Sequence, residues 1–239
     1  MLYVLIFLIA LPCCLFGQNV VEVSYQEYGI ANEEHIKKTA PAHQVELIIA
    51  TTNERYQYVL QHDKGYSQYV PAYPDIPDKE IETKIGLLRI SKNGYRNSLI
   101  IKDFNNRQMA YRRIKSVIKD NFHDFEWQLY DSTKTILAHP CKLAFGSDYV
   151  TNRKIRVWYT EEIPISDGPK FYQGLPGLVL EVQMENNLFV VATKISFPES
   201  IPDFEALQSE KAISLEEYME QQEKAMEKMK RMMQSKTDN

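Results

Sequence analysis

The sequence predicts a mainly β protein, built as a curved antiparallel sheet (a meander or half-barrel) with a C-terminal amphipathic α-helix. Three observations carry that reading. The chain of 239 residues holds 15 tyrosines, 10 phenylalanines and 2 tryptophans, and they fall in short runs alternating with polar residues, the pattern of half-buried antiparallel strands. Turn-forming residues separate those runs at close intervals. Only near Ser214 does the apolar period change, to the three- and four-residue spacing of a helix.

Residues 1–17 carry no charged side chain, are almost wholly apolar, and end in Gly17 before Gln18-Asn19. They read as a signal peptide, and the run is short for a membrane span of about 20 residues. Pro12 precedes Cys13, and Cys13 precedes Cys14, so neither cysteine follows a small residue suited to lipidation. The expected product is an unlipidated chain, residues 18–239, forming a single domain that is exported to the periplasm, associated with the outer membrane, or secreted.

Val21, Val23 and Tyr25 alternate with polar neighbours in the first strand, Val45, Leu47 and Ile49 in a second, and Tyr56, Tyr58 and Leu60 in a third. Gly65, Pro71, Pro74 and Pro77 then make residues 62–84 read mostly as loop, because proline cannot donate to a ladder. Asn93-Gly94 suits a two-residue primed turn, which needs positive φ at both positions, and would join Ile85–Ile90 to Tyr95–Ile101. Further strands are expected at Gln108–Ile118, Glu126–Tyr130, Cys141–Phe145, Lys154–Thr160, Leu178–Met184 and Leu188–Phe197, with Glu185-Asn186-Asn187 turning between the last two. Ser214-Leu215-Glu216-Glu217 fits a capping box. It opens a helix over about 214–234, in which Leu215, Met219, Gln222, Met226, Met229 and Met233 mark one face, expected to pack on the sheet.

Composition excludes several functions. The net charge is −4 with no sustained basic block, so the electrostatic footprint of a nucleic-acid binder is missing. No transmembrane segment is expected beyond the leader. Cys141 is the one cysteine after residue 17, which rules out an intrachain disulfide in the exported chain. His35, His43, His62, His123 and His139 show no zinc-like spacing, and no nucleophile elbow or zinc-protease motif occurs. Met226, Met229, Met232 and Met233 offer thioethers to copper, but helix packing explains them more simply. His139 and Cys141 stand two apart, as a thiol and its base would on one strand face, yet Pro140 breaks the strand between them and no third group is evident. Glu161 and Glu162 read as a solvated loop edge. No catalytic, cofactor or metal residues are expected.

The most informative stretch runs from Trp158 to Leu180. Trp158 lies on a strand; Pro164, Gly168 and Pro169 then turn the chain off the sheet, Phe171 and Leu175 tuck against the core, and Gly174, Leu175, Pro176 and Gly177 return it to the strand at Leu178. The segment reads as a rigid crossover clamp holding two strands in register, with a ligand- or partner-binding loop as the alternative. Its glycines precede no helix, so they do not form a phosphate loop.

Gly174-Leu175-Pro176-Gly177-Leu178-Val179 resembles the signature of the GLPGLI family of secreted Bacteroidetes-type proteins, with Val179 where the family name has Ile. The resemblance extends over Trp127 to Val182, through Cys141-Lys142-Leu143-Ala144, Trp158-Tyr159-Thr160, Ile163-Pro164 and Gly168-Pro169 with Phe171. It implies an exported cell-envelope protein and brings no catalytic residues, since the family has no established activity. The function expected is therefore non-enzymatic: the sheet offers a face to an apolar ligand or an edge to an outer-membrane protein partner. The alternative is a hydrolase or thiol enzyme using Cys141 or the Asp167 loop.

Overall fold

In β1 (Val21–Gly29), Val21, Val23 and Tyr25 are buried in strict alternation with their neighbours, as the period-two pattern requires. The structure, a computed structural model, describes residues 20–83, 86–113, 116–148, 152–185, 187–201 and 211–237, with helix side chains described as far as Arg231. The expected leader, Ile85, Asn186 and the side chains of Met232 and Met233 lie outside the described residues.

After β1 the chain forms α1 (Glu33–Thr39), whose Asn32 cap accepts from the His35 backbone N–H, and α2 (Val45–Thr52). The strand expected at Val45–Ile49 is thus a helix. Its apolar residues are nearly contiguous, so Val45, Ile48, Ile49 and Thr52 satisfy helical spacing as well as Val45, Leu47 and Ile49 satisfy alternation. Thr51 Oγ1 donates back to the Leu47 carbonyl, and Asn53 closes the last turn by donating to Ile49.

β2 (Arg55–Asp63) and β3 (Tyr66–Pro71) follow as a hairpin. Its turn is Lys64-Gly65, with φ of 49° and 80°, the doubly left-handed geometry of a primed turn. The reading of residues 62–84 as loop is corrected here, and again by β4 (Lys79–Thr83), which pairs with β5 (Gly86–Ile90) in a separate two-stranded sheet. The Asn93-Gly94 hairpin is also absent: these residues open the short helix α3 (Asn93–Arg96). Tertiary contacts override the turn propensity there. Tyr95 is buried against Tyr56 and Tyr58, its hydroxyl donates to the Gln57 carbonyl, and Arg96 pairs with Asp78.

β6 (Ile100–Asp103), β7 (Gln108–Arg113) and β8 (Ser116–Asn121) continue the sheet, so the single strand expected over 108–118 is two. β9 (Gln128–Ile136), β10 (His139–Ser147), β11 (Lys154–Thr160), β12 (Leu178–Met184) and β13 (Leu188–Ser196) agree with the expected strands to within a few residues, except that β9 runs six residues beyond Tyr130. Leu137 and Ala138, with φ of 49° and 68°, make a second primed turn between β9 and β10.

Among the described residues these strands form one twelve-stranded sheet, ordered β14-β8-β7-β6-β3-β2-β1-β13-β12-β11-β10-β9, where β14 (Ala212–Ile213) runs parallel to β8 and makes the sheet mixed. The sheet curls without closing. Tyr25 on β1 donates its hydroxyl to the Val179 carbonyl on β12, two strands away, at 2.6 Å, a reach a flat sheet would not allow at about 4.8 Å per strand.

Register builds the core. Val23, Leu60, Tyr69, Ile100, Tyr111 and Ile118 are cross-strand partners in one unbroken row, all buried. Burying such a side chain contributes about 1.5–3 kcal/mol.

Helix α4 (Leu215–Thr237) starts as expected, with Ser214 Oγ accepting from the Glu217 N–H at 3.0 Å. Its packing departs from expectation. Tyr218 is buried and Leu215 touches the core, whereas Met219, Met226 and Met229 are 51%, 60% and 55% exposed. The methionine face is not packed on the sheet, because only the first turns reach it. No helix among the described residues is long and apolar enough to cross a membrane.

Candidate functional site

The connection between β11 and β12, residues 161–177, joins two adjacent antiparallel strands, so it is a long hairpin loop and not a crossover. It folds over the inner face of the sheet's other half. Two short backbone turns, Ile165 N–H to Ile163 O and Asp167 N–H to Ile165 O, lead inward, and Val179 N–H closes onto Asp167 O at 2.9 Å. Of the loop's own side chains, Ile163, Tyr172 and Leu175 are buried.

The deepest residue is Asp167, wholly buried. The row next to the apolar one runs Val21, His62, Ser67, Lys102, Met109 across β1, β2, β3, β6 and β7, and period two places it on the same face. Asp167 comes down onto this row. Its Oδ1 accepts from Lys102 Nζ and from the Gly168 N–H, its Oδ2 meets His62 Nδ1 at 2.9 Å, and Lys102 donates a further bond to Gly168 O at 2.7 Å. Burial would raise the Asp167 carboxyl, but Lys102 and His62 outweigh it and hold it well below the usual carboxylate range. Burial pulls Lys102 below its ordinary value, against the attraction of Asp167. The arrangement anchors the loop and leaves Asp167 no surface for a substrate.

Beside this anchor, Phe171 meets Tyr111 edge-on with centroids 5.0 Å apart, and Lys170 pairs with Glu27 at 2.7 Å. Between loop and sheet remains a cleft of about 220 Å³, walled by Tyr58, Tyr69, Ile100, Tyr111 and Phe171, with Ser98, Arg112, Arg113 and Lys170 adding polar groups. Behind this wall the Tyr69 hydroxyl is wholly buried and has no hydrogen-bond partner among the described residues. Burial pushes its phenol well above the ordinary value, so it stays protonated.

The expected loop residues separate into groups. Gly168, Pro169 and Leu175 are buried within the loop, and Gly177 is buried where it rejoins the sheet; Phe171 faces the cleft; Pro164, Gly174 and Pro176 are exposed. Gly177 has no positive φ and is required for closeness, since a Cβ there would overlap the Thr160 carbonyl. Gly174 has φ of 92°, and a Cβ there would meet the Trp127 ring edge at an ordinary contact distance of 3.5 Å. Trp158 stands apart from the cleft, under Lys134 at 4.6 Å, whereas Trp127 donates from Nε1 to the Gln173 carbonyl at 2.9 Å and ties down the loop.

His139 and Cys141 are not brought into a catalytic pair. Cys141 is wholly buried and its thiol lies 3.4 Å from the His139 backbone carbonyl, while the His139 ring pairs with Glu162. Burial pushes the thiol up to about 11, so it stays protonated at neutral pH. Among the described residues no group of three or more His, Cys, Asp or Glu is arranged to hold a metal ion. Sequence reasoning missed His62, Lys102, Tyr69 and Tyr111; the signal available for Lys102 was its parity with Ile100 in an apolar run.

Residues 111–181 match a family model described as a protein of unknown function (Porph_ging), a span running from β7 to β12 and containing the whole loop. No curated protein matches the chain significantly. Among solved structures it is similar to PNGF-II in space groups C2 and P21, with TM-scores of 0.55 and 0.54, 15% identity in both, and 84% of this chain covered against 32% of that one. The chain spans about a third of PNGF-II. The likeness is therefore one of fold, and over residues 111–181, which include the loop, the chain is similar to a domain of unknown function.

Proposed function

We propose that this is a GLPGLI-type protein exported to the cell envelope, which binds a small ligand without transforming it, in the cleft between the signature loop and strands β3, β6 and β7. The observation that carries this is the cleft itself, about 220 Å³ between loop and sheet, walled by Tyr58, Ile100, Tyr111 and Phe171 and bordered by Arg112, Arg113 and Lys170. The occupant has a flat apolar body, suited to the tyrosine and phenylalanine rings, and a negatively charged group suited to the basic side chains of the cleft, Arg112, Arg113 and Lys170. An enzyme built on Cys141 or Asp167 draws no support, since both are wholly buried.

Anilinonaphthalenesulfonate, an aromatic anion, is a suitable probe. Its fluorescence should rise saturably on the folded protein, and Phe171→Ala and Arg113→Ala should each weaken binding under conditions where their urea melts show the variants folded. Absence of a saturable rise, or identical binding by both variants, overturns the assignment.

A further inference from the structure

We infer that α4 is a dimerisation element, pairing antiparallel with the same helix of a second copy of this chain. Beyond the buried Tyr218 the helix leaves the body of the protein, and Met219, Met226 and Met229, at 51%, 60% and 55% exposure, form an apolar stripe that the fold does not cover. Their spacing, with Gln222, alternates by three and four residues, the seam of a two-stranded coiled coil. A single such helix leaves that seam in water.

Charge selects the occupant and its direction. Residues 215–223 carry four glutamates and no base, whereas residues 224–237 carry five lysines and arginines and one glutamate. A parallel copy would set like against like along the whole length. An antiparallel copy lays the acidic half of each helix on the basic half of the other, bringing Glu216 opposite Lys230. The same polarity suits the helix macrodipole, but that effect is confined to the first and last turns, and here the asymmetry fills the helix. The layers close in the same register: Met219 and Met229 lie equally far from Lys224, as do Gln222 and Met226, so each methionine of one copy meets a methionine or an amide of the other. Gln222 in the seam fixes that register. The cost is Glu223, which meets its own copy near the two-fold axis.

The test is sedimentation equilibrium on residues 18–239 at low and high salt. A monomer–dimer equilibrium is expected that weakens with salt, and Met226→Glu, on an exposed face and harmless to folding, should weaken it about tenfold or more. Orientation is read by disulfide trapping: Met219→Cys mixed with Met229→Cys should give a mixed disulfide dimer, and Met219→Cys alone should not. A monomer at every concentration, a dimer indifferent to Met226→Glu, or self-trapping of Met219→Cys would overturn the inference.

Discussion

Lys102 donates to Asp167 across 65 residues of sequence, with both side chains wholly buried. A buried pair is a poor source of net stability, but removing one partner strands the other charge in a low dielectric. Asp167→Asn and Lys102→Met should each cost about 3–5 kcal/mol, and the double variant should lose less than the sum. Urea unfolding of the three variants measures this; additive losses would show that the two side chains act separately.

The same pair sets an acid limit. Because the folded Asp167 carboxyl lies below an unfolded aspartate at about 3.9, the unfolded chain binds the extra proton, and stability falls as pH falls. The contribution is complete above the unfolded value and is lost as pH drops below it towards the folded one. Asp167→Asn should flatten that limb of a stability profile between about pH 5 and pH 2; an unchanged slope would assign acid sensitivity elsewhere.

The two signature glycines should differ in severity. Gly177→Ala drives a Cβ into the Thr160 carbonyl, rigid backbone that cannot step aside, at a cost of about 3 kcal/mol or more. Gly174→Ala meets the Trp127 ring edge at ordinary contact distance and is penalised only by its φ, at about 1–2 kcal/mol. Equal melts for the two would contradict the close packing at Gly177.

Cys141 should be silent in the native protein. With its thiol pushed up to about 11 by burial, iodoacetamide at pH 8 should label it at least about 100-fold more slowly than in urea. Comparable rates in both conditions would restore a reactive-thiol reading.

Export makes a separate prediction, resting on the uncharged apolar residues 1–17. Mass spectrometry of the envelope fraction should find a chain starting near Gln18 with no acyl group; a full-length cytoplasmic chain would exclude export, and acylation of Cys13 or Cys14 would show a lipid-anchored chain in place of the unlipidated one expected.

The sequence by itself determined the β architecture, because period-two burial is local: β1, β11 and β12 begin and end near where Val21-Val23-Tyr25, Lys154–Thr160 and Leu178–Met184 alternate or run apolar. It also located the loop, whose prolines and glycines restrict the backbone whatever surrounds them. Where a segment satisfied two periods, as at Val45–Thr52, or where a distant side chain outweighed a turn preference, as Tyr95 does beside Asn93-Gly94, only the tertiary structure decided. The site belongs to that second class. Asp167 is legible as a loop aspartate, but its partners His62 and Lys102 come from strands 105 and 65 residues away, and only cross-strand register sets them in one row. The methionine face is the converse: its spacing was plain in the sequence, but whether it faced the sheet or open space depended on where Tyr218 docked the helix.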